Sequence, residues 1–254
     1  MRWLKALLVL LVVLLAAAAI VVWTLPADVG YRFGARFVAP AVLTGLRGTV
    51  WDGHADGVSV LGVDLGELDW HARKWPLLGG QFVADLRLAG ADVEVAGLFA
   101  RGPGTLALRD VRFRLPADAV GPVLDNGALR LLGTLGGVID QATLANGRIT
   151  AASGNLRWSD AGVAGAADAR FSEILATFAA DPAGRIAGTL HDDGSGPLAL
   201  EGEFTLAAGA FDLVATLRAR EGDPAVAAAL RRIGEPQPDG SSRLEIHQRL
   251  LPAP

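Results

Sequence analysis

From residue 46 onward the chain alternates apolar and polar positions with a period of two. Leu68, Trp70 and Ala72 alternate with Glu67, Asp69 and His71. Phe82, Ala84, Leu86 and Leu88 alternate with Gln81, Asp85 and Arg87, interrupted by Val83. Ala91, Val93 and Val95 follow, then Val111, Phe113 and Leu115, and finally Leu244 and Ile246 between Arg243, Glu245 and His247. A sheet with one covered and one wet face requires this alternation. Asp52-Gly53, Asp56-Gly57, Asn126-Gly127, Asn146-Gly147, Asp193-Gly194 and Asp239-Gly240 suit positive φ at hairpin turns. Together these signals predict a mainly β chain whose long, curved antiparallel sheet is open or partly closed as a half-barrel, with a few short helices.

Helix signals are sparse. Pro116–Leu124 and Phe171–Phe178 are short candidates, and Asp223–Arg232 is the best. There Asp223 is placed as N-cap, Pro224 opens the helix, the body is alanine-rich and Gly234 terminates it. Val226, Leu230 and Ile233 lie at spacings of four and three, which gives one face for the sheet. Residues 26–45, punctuated by Pro26, Pro40 and Gly45 and bearing Tyr31, Phe33 and Phe37, read as a connector. Residues 46–254 read as one continuous β-rich domain. Gly48, Gly104, Gly133, Gly188 and Gly202 each open a Gly-polar-apolar stretch, at spacings too irregular for a solenoid.

The first 25 residues follow a different rule. Ala6 to Trp23 is an unbroken apolar run, preceded by Arg2 and Lys5 and followed by Asp28 as the first later charge. Its length suits a bilayer-spanning helix. The basic flank predicts a cytoplasmic N-terminus, and Trp3 and Trp23 stand where indoles favour the membrane interface. Ala16-Ala17-Ala18 would satisfy a signal-cleavage rule, but the run continues through Ile20, Val21, Val22 and Trp23, which favours an uncleaved anchor over residues 1–25. Residues 30–254 are then expected on the far side of that membrane. Of the whole chain 51% is hydrophobic. Outside this segment the share is about 47%, ordinary for a globular domain, which excludes a polytopic membrane protein.

Composition narrows the chemistry further. The net charge of −4 opposes general nucleic-acid binding. The absence of cysteine excludes disulfides, thiol nucleophiles and cysteine metal sites. His54, His71, His191 and His247 share no metal-ligand spacing, and His71 and His247 fall in the polar phase of strands. The loop His191-Asp192-Asp193-Gly194-Ser195-Gly196-Pro197 holds possible cation ligands but lacks the spaced carboxylates of a calcium loop, so a polar turn is the better reading. No acid–base pair, P-loop or dinucleotide fingerprint is present. No catalytic, cofactor-binding or metal residues are assigned, no cofactor is expected, and the chain reads as a non-enzyme. Trp51, Trp70 and Trp158 are expected to be largely buried, filling the covered face of the sheet.

The order of motifs carries a resemblance. An N-terminal anchor precedes Gly48-Thr49-Val50-Trp51-Asp52-Gly53 and Leu68-x-Trp70. Gly154-x-Leu156-x-Trp158, Asp192-Asp193-Gly194 with Pro197-Leu198, and Leu230-x-x-Ile233-Gly234 follow. This set, over roughly residues 4 to 250, resembles protein N of the bacterial type II secretion system. The resemblance implies an inner-membrane accessory component that supports export of folded proteins across the outer membrane. It implies other secretion components as partners and brings no catalytic residues. Gly48, Trp51, Asp52, Gly53, Trp70, Trp158, Asp192, Asp193, Gly194 and Gly234 are its structural motif positions. An alternative from another class is a periplasmic carrier of lipid or another hydrophobic ligand, holding it in an open β-groove.

Overall fold

The alternating segments become antiparallel strands. The computed structural model describes residues 24–38, 40–60, 62–119, 129–146, 148–165, 168–207, 210–220 and 223–249. The apolar run of residues 6–23 lies outside them, as does the Asn126-Gly127 dipeptide. Among the described residues no helix is long and apolar enough to cross a membrane. The chain divides into two compact units, Met1–Ala91 and Asp92–Pro254.

The first unit contains helix α1 (Ala27–Val38) and strands β1 (Ala41–Thr44), β2 (Arg47–Gly48), β3 (Asp52–Val60), β4 (Val63–Arg73) and β5 (Phe82–Ala89). The strand order is β1-β3-β4-β5, with β2 also on β3. The connector of residues 26–45 therefore contains a helix and an edge strand. Gly30 lets the helix approach Val50 closely, since a Cβ there would lie 2.2 Å from Val50 Cγ2. The Leu43 amide donates to the Tyr31 hydroxyl, tying β1 to α1. Trp51, Ala72 and Ala84 form the buried centre, with Leu86 against it. Val83 is buried and Phe82 exposed, so the apolar phase of β5 slips at its first residue.

The second unit contains β6 (Glu94–Gly102), β7 (Thr105–Pro116), β8 (Leu129–Ala145), β9 (Arg148–Gly165), β10 (Ala169–Ala180), β11 (Ile186–Asp192), β12 (Leu198–Ala207), β13 (Ala210–Ala219), α2 (Pro224–Ile233), β14 (Glu235–Pro236) and β15 (Ser242–Arg249). Strands β6 to β13 form a meander, continued by β15 and then β14. In neither unit does the strand order return to its start, so the open-sheet alternative holds and the closed barrel does not.

Helix α2 forms as the capping signals require. The Asp223 carboxylate accepts from the Ala225 and Val226 amides, both at 2.9 Å. Val226, Ala229 and Leu230 join Phe171, Ile174, Leu198, Leu200 and Leu217 in one buried cluster. Burial of each such side chain stabilises by about 1.5–3 kcal/mol.

Several local expectations are overturned. Phe171–Phe178 is not a helix but lies inside β10, paired to β9 and β11. Ser172 has φ +94°, and the register shifts on both sides of it. Phe171 and Ile174 therefore point to one face at a spacing of three, which imitates a helix in the sequence. Pro116 ends β7 and only 117–119 make a 3-10 turn, the rest of that candidate lying outside the described residues. Asp56-Gly57 lies within β3 rather than at a hairpin turn, while Asp52-Gly53 opens β3 where the β2–β3 turn closes, and neither glycine takes a positive φ. The second pair sits where the β3–β4 register slips between Ala55 and Val58. Asn146 (φ +50°), Gly194 (+83°) and Gly240 (+81°) do occupy turns with the expected backbone.

Candidate functional site

In the first unit the stretch from Gly48 to Gly53 is one tight construction. Gly48 has φ +79°, and a Cβ there would lie 2.5 Å from the Asp52 carbonyl oxygen. Thr49 closes the turn: its amide donates to the Asp52 carbonyl at 2.7 Å, and its hydroxyl accepts from the Trp51 and Asp52 amides. Trp51 is thereby turned inward and buried, with the Lys74 ammonium 5.7 Å from its ring centroid. Trp70 is half-buried and donates from Nε1 to the Val50 carbonyl at 3.1 Å. Its ring lies over Gly53, where a Cβ would come within 2.1 Å of Cζ2. These five motif residues thus share one construction.

The opposite, wet face of β3 and β4 is a cross-strand lattice of charge. His54 lies opposite Asp69, and Asp52 opposite His71. His54 Nδ1 stands 2.8 Å from Asp69, its Nε2 3.3 Å from Asp56, and Arg47 pairs with Asp56 at 2.7 Å. His71 pairs with Asp52, and Arg73 with Asp85 at 3.2 Å. The hydrogen bond to Asp69, aided by the nearby carboxylates, raises the His54 pKa above its ordinary 6.5. In the second unit His247 is raised in the same way by Asp212, its cross-strand partner. Among the described residues no cluster of three or more His, Asp or Glu side chains has the arrangement to hold a metal.

The second unit gathers the other motif residues around the β11–β12 loop. Asp192 closes β11 with its carboxylate turned inward. It accepts from the Leu200 amide at 2.7 Å, the Gly194 amide at 2.8 Å and Arg220 Nη1 at 2.6 Å. Burial pushes its carboxyl pKa up, but these three donors outweigh burial and hold it below the usual carboxylate value. Arg220 also donates to the carbonyls of Gly196 and Leu198, so one guanidinium fastens the whole loop. Asp193 bonds the hydroxyl and amide of Ser195, which also lowers its pKa. The Asp-Asp-Gly run is therefore a fastened turn whose carboxylates already have donors. Trp158 is half-buried, donating from Nε1 to the Leu132 carbonyl at 2.7 Å. Gly234 caps α2 in an extended conformation, its amide bonded to Leu230, and a Cβ there would lie 2.7 Å from the Arg243 carbonyl oxygen.

One feature of the second unit had no sequence motif. Register carries a single apolar row across neighbouring strands: Ile139, Gly154, Phe178, Gly188, Phe204, Leu213 and Ile246. Gly188 leaves room for the Phe204 ring, which a Cβ there would meet at 2.4 Å. The buried cluster under α2 involves Leu200 and Leu217, further along β12 and β13; Leu213 packs against it and Gly154 is buried, while Ile139, Phe178, Phe204 and Ile246 remain half-buried. An open groove of ≈ 490 Å³ lies between Phe178 and Phe204. The signal was distributed over strands far apart in sequence, and only pairing assembles it.

Comparison with known proteins places these features in a family. A sequence profile described as "Type II secretion system (T2SS), protein N" matches residues 39–245. The chain is similar to "Type II secretion system protein N" of Vibrio cholerae serotype O1, with 40% identity over 63 residues. That alignment spans 24% of this chain and 25% of the relative, about a quarter of each. No solved structure matches the chain. The profile runs from before β1 into β15 and contains every motif position named above, and on that match the chain belongs to the family of type II secretion system protein N.

Proposed function

We propose that the chain is an inner-membrane-anchored, periplasmic accessory component of type II secretion, acting through protein–protein contacts and not as an enzyme. The observation that carries this reading is the family match over residues 39–245. The apolar run from Ala6 to Trp23 behind Arg2 and Lys5 supports a single-pass anchor with the remainder periplasmic. The fold supplies a means of contact. Among the described residues, beyond its two-residue pairing with β14, strand β15 pairs with β13 on one side only, leaving Leu244–Arg249 as an edge. Such an edge accepts an added strand from another chain, and the exposed Glu245, His247 and Arg249 restrict which strands can approach. The test is deletion of the gene followed by measurement of folded-protein export, with a photocrosslinker at position 247 to capture neighbours. Crosslinks to other secretion components and reduced export support the reading. Unchanged export together with no such crosslink refutes it.

The half-buried row through Phe178 and Phe204 favours a second reading, a carrier of lipid or another hydrophobic ligand. Apolar side chains left partly uncovered on a long open sheet can hold an acyl chain. Mass spectrometry of lipid co-purified with the full chain tests it. Lipid lost on Phe178→Asp substitution supports the carrier, and a lipid-free chain argues against it.

A further inference from the structure

The first unit exposes apolar side chains at one end. Between β4 and β5 the chain turns through a 3-10 segment, Trp75–Gly79. There Trp75 is 79% exposed, Leu78 82% and Leu77 44%, with Phe82 at 40% where β5 begins. The β3–β4 turn, at the other end of β4, differs, since its exposed Val63 is followed directly by Asp64. Leaving two leucines and a tryptophan in water on one short turn, with Phe82 beside them, is unfavourable unless something covers them.

The chain's own path indicates what does. Leu25 and Pro26, which directly follow Thr24 after the apolar run in sequence, are fixed at the same end of the sheet as this turn. The Leu25 carbonyl accepts from the Val50 amide at 3.0 Å, and Pro26 forms a β-bridge with Thr49. Val50 is joined to Trp70 by the indole hydrogen bond, and the Trp51 carbonyl accepts from the Ala72 amide at 2.6 Å. Ala72 is two residues before Lys74, whose ammonium lies against Trp51. The point where the chain leaves its apolar run and the exposed turn are therefore at the same end of the β3–β4–β5 sheet. Arg73 and Lys74 stand at the base of the turn. Arg73 is paired with Asp85, and Asp52 and His71 complete the polar groups at this end.

We infer that the Trp75–Gly79 turn, with Phe82, is a second membrane-contacting element, seated in the interfacial layer of the same bilayer that the 6–23 run enters. The inference rests on the anchor reading above. The composition fits that layer: a tryptophan whose ring favours the headgroup level, two leucines for the acyl boundary, and cations below them for anionic headgroups. Two contacts close together would hold the first unit upright on the membrane and restrict its rotation about the anchor.

The chain contains no cysteine, so a single introduced thiol can be labelled without removing others. Full-length Leu78→Cys and Val63→Cys variants, each carrying an environment-sensitive fluorophore, are reconstituted in vesicles of phosphatidylethanolamine and phosphatidylglycerol. The expected result is a blue-shifted label at position 78, quenched by spin-labelled lipid and shielded from iodide, with the reverse at position 63. Iodide quenching at position 78 equal to that at position 63, in protein that floats with the vesicles, overturns the inference and leaves the anchor standing. Shielding at position 78 from both quenchers also overturns it, pointing to a protein partner or a second copy. Full-length protein that fails to float removes the anchor reading, and this inference falls with it.

Discussion

Replacing Asp192 with alanine removes one acceptor from three donors at once. Its side chain is only 7% exposed, whereas that of its partner Arg220 is 35% exposed. Arg220 keeps the Gly196 and Leu198 carbonyls, so loss of the ion pair itself costs about 1 kcal/mol, as for a partly solvated pair. The part-buried Leu200 amide loses a charged acceptor, at about 1.5–3 kcal/mol. The exposed Gly194 amide can turn to water at little cost. The expected loss is about 3 kcal/mol, concentrated where the β11–β12 loop meets α2. Urea unfolding should show the midpoint falling by about 1.5 M for a slope near 2 kcal/mol/M. Hydrogen exchange should place the loss at Leu200 and the amides of α2. A change below about 1 kcal/mol, or one spread evenly over both units, refutes the fastening role. Asp192→Asn keeps an acceptor but loses the charge, and should fall between. The folded carboxyl titrates below its ordinary 3.8, so its contribution is present above that pH and disappears as pH falls through the folded value. The Asn variant should therefore lose less stability on acidification than the parent.

Four further outcomes are expected. Trp70→Ala should destabilise the first unit by about 3 kcal/mol, from lost ring contacts and the Val50 carbonyl left without its donor; a loss below about 1 kcal/mol in thermal melts places the ring outside the packing. Gly53→Ala should cost about 1–3 kcal/mol through collision with that ring, and should cost less in a Trp70→Leu background if the collision is the cause. His54 has a folded pKa above its ordinary 6.5, so its contribution is complete below 6.5 and is lost as pH rises through the folded value; NMR titration should show Asp69→Asn moving that pKa down. Asp223→Ala should remove about 1 kcal/mol and increase exchange in the first turn of α2.

Much of the fold was legible because its causes are local. The later parts of β4 and β7, residues 67–72 and 111–115, and β15 follow from unbroken alternation, and α2 from a cap, a proline and an alanine-rich body within a dozen residues. Misreadings occur where a long-range contact overrides a local rule. Phe171 and Ile174 read as helix because a bulge at Ser172 changes the side-chain phase, and only pairing to β9 and β11 shows the strand. Within the connector, residues 27–38 form a helix that Gly30 lets approach Val50, twenty residues away, a contact that no local pattern marks. Asp52-Gly53 has the chemistry of a hairpin turn but serves as a strand opening pressed under Trp70.

The motif positions divide in the same way. Sequence identified the residues that build Gly48–Gly53 and Asp192–Gly194, because turns and caps are written in neighbouring residue types. It also determined a mainly antiparallel β chain and the secretion protein N family, since pattern and ordered motifs lie along one dimension. Tertiary structure alone decided that the sheet stays open, that Asp192 is held by Arg220, and that Phe178 and Phe204 share one uncovered row. It also decided that the exposed Trp75 turn lies at the end of the sheet where Leu25 and Pro26 are fixed. Those facts depend on strand register and on burial between residues distant in the chain, and a periodic pattern specifies which face a side chain takes but not what stands across from it.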